Sequence, residues 1–273
     1  MASARDRFSD WQLPPGGTLL ERVERMVYPD ILAGCFGEDA TIMILGLQYH
    51  LGGKQDTAEL AGLCGLGPQD RVLDACCFMG GPALQLVETY GCTVTGLDLW
   101  DTPLWAAQQI ARLCGWRDKL RYVKADVTAL PFSDAGFSVV WNQCSLEHNP
   151  SWIAAFDRVL APGGRMALTF QHCVKTRDPD DPFGRWSIDD LFGMLQTRGY
   201  AILHADDISV RDIEIGWRAM IERLENERAT FTARFGQEWV RQALSEFEGE
   251  IVRMRNGAWG NGRIVAQKPG TAD

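Results

Sequence analysis

The sequence predicts an α/β fold, doubly wound around a mostly parallel seven-stranded sheet, with an N-terminal helical cover and a helical cap inserted before the last strand. Three observations carry this. Short apolar runs alternate with helical periods from Arg71 to Gln171, which implies right-handed crossovers and a sheet covered on both faces. The chain length, 273 residues, is near the upper limit of one hydrophobic core. With 46% hydrophobic and 23% charged residues the balance is globular, which excludes a disordered, collagen-like or coiled-coil chain.

The elements follow in order. Leu19 to Phe36 mixes apolar residues with Glu21, Arg22, Glu24 and Arg25 at helical spacing. Proline at Tyr28-Pro29 removes a backbone donor, so this reads as a broken helix that covers the sheet. Asp56 is predicted to N-cap a helix over Thr57 to Cys64, ended by Gly65, Gly67 and Pro68. Arg71 to Ala75 is a buried strand, followed by a turn at Gly80-Gly81 and a helix from Pro82 to Tyr90. Cys92 to Asp98 repeats the strand, Pro103 to Cys114 the helix, and Leu120 to Lys124 a third strand. Phe137 to Asn142 reads as strand, Ser151 to Leu160 as helix, and Arg165 to Gln171 as strand after the Pro162-Gly-Gly turn. His172 to Trp186 is a polar loop with an Asp178-Pro-Asp-Asp-Pro182 stretch that is expected to be exposed. A helix over Ile188 to Arg198 and a strand over Tyr200 to Ala205 come next. A long helical stretch, Asp212 to Arg255, broken near Phe235-Gly236, then precedes the last strand, Arg263 to Gln267.

Composition narrows the function. Thirty-six acidic against 27 basic residues give a net charge of −9, which opposes binding to a nucleic acid. No apolar run approaches the roughly 20 residues that span a bilayer. Met1 to Leu13 carries Arg5, Asp6, Arg7 and Asp10 and has no apolar signal core, so a soluble, cytoplasmic protein without a membrane partner is expected. Eight cysteines are too few for a disulfide scaffold, and none forms a CxxC pair or a cluster with zinc spacing, so no metal is expected.

The chemistry sits at strand ends, where open α/β sheets bind ligands. Asp74 ends the first strand, and Gly80-Gly81 opens a helix whose N-terminal amides suit an anionic group. Asp98 ends the second strand, 24 residues after Asp74, where a carboxylate can bind two ribose hydroxyls. Asp126 follows the third and can accept from an adenine amino group. Each acid alone is more often an N-cap or turn residue; three at successive strand ends describe an adenosine ligand. A dinucleotide would need G-x-G-x-x-G after the first strand, and Asp74-Ala-Cys-Cys-Phe-Met-Gly-Gly81 lacks it.

Val72 to Gly81, Val94-Thr-Gly-Leu-Asp98, Ala125-Asp126 with Leu130-Pro-Phe-Ser-Asp134, Phe137 to Trp141 and Leu160-Ala-Pro-Gly-Gly164 resemble the successive motifs of class I S-adenosylmethionine-dependent methyltransferases, which have a Rossmann-like fold. Trp141-Asn-Gln-Cys-Ser-Leu-Glu-His-Asn-Pro150, Tyr49-His-Leu-Gly-Gly53 and the ending Asn256 to Pro269 resemble the sarcosine/dimethylglycine methyltransferase type of small-molecule enzyme. The resemblance implies that Asp74 and Gly80 border the methionine end of S-adenosyl-L-methionine, that Asp98 with Leu99 holds its ribose, and that Asp126 with Val127 holds its adenine. Asn142 and Gln143 would lie beside the methyl donor. The first two loop glycines of the family fall at Cys76 and Phe78, and glycine there allows close approach and positive φ. The implied reaction is transfer of a methyl group to a small-molecule acceptor, preferably an amine, leaving S-adenosyl-L-homocysteine. Phe78 motivates an alternative: cofactor binding without methyl transfer, or another reaction of the sulfonium.

On the acceptor side, His148 is the candidate base one turn beyond Gln143, against a turn histidine. Tyr49, His50, His172, Trp186, Arg211 and Trp217 are candidate substrate contacts, the rings for a cation and the arginine for a carboxylate. Core packing is the plainer account of the tryptophans. Cys76-Cys77 reads as buried small hydrophobes rather than a reactive pair at a helix N-terminus. The Met220 to Phe235 stripe is an amphipathic cap helix rather than a membrane helix. The expected organisation is a single methyltransferase domain over 1–273: cover 1–66, cofactor-binding core 67–171, substrate loop and cap 172–261, last strand and tail 262–273. Self-association into a homodimer is left open.

Overall fold

A computed structural model of the chain describes residues 8–28, 30–174 and 184–271. Its helices are α1 (Leu19–Val27), α2 (Asp30–Phe36), α3 (Ala40–Leu45) and α4 (Gly53–Cys64) in the cover, then α5 (Gly81–Tyr90), α6 (Asp101–Leu113), α7 (Pro150–Val159) and α8 (Ile188–Thr197) around the sheet. The cap holds α9 (Ser209–Asp212), a π-turn over Ile213–Arg218, α10 (Ala219–Asn226), α11 (Arg228–Phe235) and α12 (Gln237–Arg255). The strands are β1 (Arg71–Ala75), β2 (Thr93–Asp98), β3 (Leu120–Lys124), β4 (Phe137–Gln143), β5 (Leu160–His172), β6 (Ala201–Asp207) and β7 (Gly260–Gln267).

All seven strands form one sheet in the order β3-β2-β1-β4-β5-β7-β6, with only β7 antiparallel to its neighbours. Chain direction through the sheet turns back between β1 and β4. At that point the two strands carry helices on opposite faces, which opens a crevice beyond their carboxyl ends.

Three apolar clusters build the body. One packs α1, α4, α5 and α6 on β1 and β2 through residues such as Leu60, Leu84, Ile110 and Val94. A second packs α7 and α8 on the other face through Ile153, Phe156, Leu191 and Leu168. The third lies within the cap around Trp217, Leu224, Phe231 and Phe247. α1 starts at a capping box in which Thr18 and Glu21 exchange hydrogen bonds. It ends before Pro29 as expected, and α11 ends at Gly236, whose φ of +92° suits glycine.

Two expectations are corrected. Asp56 is not an N-cap: Gly52, in the left-handed conformation, starts α4 at Gly53. Asp56 is therefore the fourth helical residue, 1% exposed, and its carboxylate faces inward. Similarly, β5 begins at Leu160 rather than Arg165, because Phe137 of β4 pairs with Leu160 across a register shift that absorbs the Pro162-Gly-Gly segment. The Asp178 to Pro182 stretch lies outside the described residues.

Candidate cofactor and acceptor site at the strand ends

Asp74 closes β1 and is buried, with one carboxylate oxygen lacking a partner. Burial, and then the charge of Asp98, push its carboxyl up to about 8. Beyond it the chain makes a tight loop in which two residues other than glycine have positive φ, Cys76 at 62° and Phe78 at 49°. Those are the two positions where the family resemblance places glycine. Cys77 donates its N–H to the Leu97 carbonyl at 3.0 Å, and Gly80 donates to the Cys77 carbonyl at 2.8 Å, closing the loop onto β2. Gly80 is itself left-handed at 77°, and a Cβ there would collide with the Tyr122 hydroxyl.

Asp98 is held on both sides. Its Oδ2 accepts from the Phe78 N–H at 2.9 Å and its Oδ1 from the Trp100 N–H at 3.0 Å. Each oxygen keeps a further lone pair for a ligand hydroxyl. Leu99 and Trp100 beside it are exposed apolar surface, 55% and 57%. Asp126 follows β3 at the surface, and the Thr128 N–H and hydroxyl, both at 2.7 Å, hold its carboxyl below the usual range. Val127 next to it is buried. Asn142, at the end of β4, donates to the Ala75 carbonyl at 2.8 Å and leaves its own buried carbonyl oxygen without a partner.

The Cys76 thiol is pushed up to about 12, first by burial and then by the charges of Asp98, Asp74, Glu147 and Asp126. Burial likewise raises Cys77 well above the usual thiol range. Both remain thiols at neutral pH, as small hydrophobes do and a reactive pair does not. With Asp74 in its acid form at neutral pH, Asp98, Glu147 and Asp126 still make the crevice anionic. Two buried acceptors without partners, an acid raised for want of a counter-charge, and a glycine cradle at a helix N-terminus fit a ligand that brings a diol, an ammonium and a further positive charge.

Gln143 turns away from this crevice into a buried polar network. Its Nε2 donates to Asp56 Oδ2 at 2.7 Å, and its Oε1 accepts from Trp141 Nε1 at 2.9 Å and the Thr57 hydroxyl at 3.2 Å. Arg211 from the cap pairs with Asp56 at 3.1 Å, Glu59 at 2.8 Å and Asp212 at 2.8 Å. Asn261 of β7 donates to Asp212 at 2.7 Å. Burial, then the charge of Asp56, raise Asp212 to about 6. Asp56, Thr57, Asp212 and Asn261 escaped sequence reasoning, because the contacts that gather them into one network cross long separations.

Beyond β4 and β5 a cavity of about 410 Å³ is lined by residues that include Ser145, Glu147, His148, Gln171 and Arg185. His148 is half-buried there, edge-on to Trp186 with 5.2 Å between ring centres. Its Nδ1 accepts the Trp186 backbone N–H at 3.0 Å, so a neutral ring carries its proton on Nε2. Cys144, at φ +57°, turns the chain into this cavity.

The remaining candidates divide. Tyr49 is 37% exposed, with its ring 4.8 Å from that of Phe78. His50 is buried between the Leu51 carbonyl at 3.2 Å and the Thr57 hydroxyl at 3.2 Å, and burial keeps it neutral. His172 is buried, donating from Nδ1 to the Cys173 carbonyl at 2.9 Å with Nε2 3.3 Å from Asp207. Trp186 packs in the sheet core. Trp217 lies inside the cap, against Phe247 and Trp259 with Nε1 3.2 Å from Met254 Sδ. The structure thus brings Asp74, Cys76, Phe78, Gly80, Asp98 and Asn142 together, sets His148 beside a second cavity with Trp186 packed in the core behind it, commits Arg211 to Asp56, Glu59 and Asp212, and places Trp217 elsewhere. Among the described residues, no group of three or more His, Cys, Asp or Glu is placed to hold a metal ion.

Residues 72–164 match the methyltransferase-domain family. The chain is 24% identical over 229 residues to phosphoethanolamine N-methyltransferase 1 of Zea mays, covering 80% of this chain and 45% of that protein. It therefore spans about half the length of the curated relatives it matches. Among solved structures it resembles Haemonchus contortus phosphoethanolamine N-methyltransferase 2, in complex with phosphomonomethylethanolamine and S-adenosylhomocysteine, with a TM-score of 0.75 and 20% identity over 94% of this chain and 61% of that one. A sarcosine/dimethylglycine-type methyltransferase of Galdieria sulphuraria gives 0.67 and 19% over 78% and 83%. At these identities the structures speak for the fold, and the matched segment speaks for the kind of domain. The chain thus carries a methyltransferase domain over residues 72–164, set in a fold that it shares with these S-adenosylmethionine-dependent enzymes.

Proposed function

We propose that the protein transfers a methyl group from S-adenosyl-L-methionine to a small-molecule acceptor and releases S-adenosyl-L-homocysteine. The observation that carries this reading is the anionic crevice at the β1/β4 switch point, where unpartnered Asp74 and Asn142 oxygens and the doubly held Asp98 suit a cationic adenosyl ligand. Asp98 takes the ribose diol and Asp126 the adenine amino group, with Leu99 and Val127 as apolar walls. Asp74 and Asn142 take the amino-acid arm, and Cys76, Phe78 and Gly80 shape the loop around it. Gln143 braces the end of β4 from the buried network, through its bond to Asp56.

When bound, the sulfonium supplies an activated methyl, so the protein's part is orientation and exclusion of water. The polar cavity beside His148 suits the acceptor. His148, whose Nδ1 accepts the Trp186 N–H, lines that cavity and orients the acceptor; serving as a base at Nε2 requires the other tautomer. The crevice charge favours an amine. Strain at Phe78 supports the second reading, a cofactor-binding protein whose altered loop serves no methyl transfer or a different reaction of the sulfonium.

The net charge of −9 supports a role without nucleic acid. No helix of the described residues is long and apolar enough to cross a membrane; a cytoplasmic site of action, one functional domain over 1–273 and a homodimer belong to the same proposal. Incubation with the cofactor and a panel of amines, thiols, phenols and carboxylates, read by product mass, tests the reaction. A product heavier by one methylene supports it. Cofactor binding with no such product across the panel favours the second reading.

A further inference from the structure

The left-handed turn at Phe78 needs a cause, since an L side chain rarely adopts it unless its surroundings over-determine it. Phe78 is 6% exposed, and its ring does not point into the crevice that its backbone borders. It lies between two rings of the cover. Phe36, the last residue of α2, is 4.9 Å away between ring centres with the planes 37° apart, and Tyr49, in the loop before α4, is 4.8 Å away at 35°. Offset rings at these spacings attract beyond their buried area. On its other side the same residue donates its backbone N–H to Asp98 Oδ2 at 2.9 Å. Relaxing φ at Phe78 toward negative values would swing that N–H off Asp98 and leave the acid held by Trp100 alone.

From this juxtaposition we propose that Phe36 and Tyr49 are positioning residues: their stack on Phe78 holds the loop in the turn that aims Asp98 at the ribose. The cover then acts as a clasp on the cofactor site. This rests on the cofactor reading above, and it makes the ring at position 78 a substitute for glycine rather than an obstruction. Glycine adopts the turn unaided; phenylalanine adopts it because the cover grips the ring.

The test is a double-mutant cycle on S-adenosylhomocysteine affinity, measured by calorimetry. Tyr49→Ala, at a half-exposed position, and Phe36→Ala should each weaken binding roughly tenfold, the scale of one released left-handed residue. Tyr49→Phe keeps the ring and should match wild type. In a Phe78→Gly background, Tyr49→Ala should cost less than about twofold, because glycine no longer needs the stack. Equal losses in both backgrounds would overturn the proposal and make Tyr49 a direct ligand contact. A readout without cofactor is hydrogen exchange at the Phe78 amide, which should quicken in Phe36→Ala and Tyr49→Ala; unchanged exchange in folded variants counts against the clasp. Wild type failing to bind the ligand at all would instead remove the cofactor reading.

Discussion

Asp98 combines two backbone donors with two remaining lone pairs, so it is rigid before any ligand arrives. Asp98→Ala should weaken S-adenosylhomocysteine binding at least tenfold, since charged hydrogen bonds contribute about 1.5–3 kcal/mol. Asp126→Ala should cost less, one surface hydrogen bond being at stake; calorimetry on the two folded variants ranks them, and the reverse order would move the adenosine elsewhere. His148→Ala should lower turnover roughly 10²-fold with cofactor affinity intact. His148→Gln discriminates the role: an amide can still accept from the Trp186 N–H and donate to the acceptor, so it should keep most of the activity of an orienting residue and none of that of a base. Asp74 gives a pH signature. Its carboxyl is raised to about 8 by burial and by Asp98, so folding favours the protonated form. That contribution is complete below the ordinary carboxylate range near 4 and is lost as pH rises through about 8. Asp74→Asn should therefore raise the melting temperature more at pH 8.5 than at pH 5, and an equal shift at both would show that the acid titrates normally. The places of Asp74 and Asp98 at strand ends were legible because strand ends can be located by period, whereas Asn142 entered only through the family resemblance. The geometry of His148 was not legible, since Trp186, which fixes its tautomer, arrives from the far end of the substrate loop.

At the scale of elements, α4 is joined to β4, α9 and β7 by one buried network through Asp56, Arg211, Asp212 and Asn261. A buried ion pair is weak evidence of net stability, but removing one partner strands the others. Arg211→Ala leaves Asp56 and Asp212 facing each other without a cation. It should destabilise the protein by about 3 kcal/mol, a fall in melting temperature of roughly 2–4 °C for each kcal/mol in a chain of this size. Val210→Ala next door, where the side chain is exposed, should change little; equal behaviour of the two variants would show that the network contributes nothing. Sequence reading placed the strands well and failed at Asp56. A carboxylate near a helix start is ordinarily a cap, and only the left-handed Gly52, which starts the helix four residues earlier, turns it inward. Nothing local in the sequence announces a partner 87 residues away.

The whole molecule should report ligand binding as stability. A ligand that binds only the folded state adds about 2.7 kcal/mol at a concentration of 100 Kd, so S-adenosylhomocysteine should raise the melting temperature by roughly 5–10 °C. Adenosine alone should give less, and no rise with either would argue against an adenosyl site. The fold was legible at this scale because alternating strand and helix periods admit few topologies; the contacts between cover, core and cap were not, since they depend on side chains meeting across the sheet's crevice. The strand order has a consequence for synthesis. β7 is the last strand in sequence but lies between β5 and β6, joined to both by full ladders. A nascent chain that has reached Asp207 therefore carries β6 with no partner and β5 with a bare edge. At about 5–20 residues per second, translating Ile208 to Trp259 keeps those edges open for several seconds, a window in which an emerging chain can pair with a neighbour's strand or be sheltered by a chaperone.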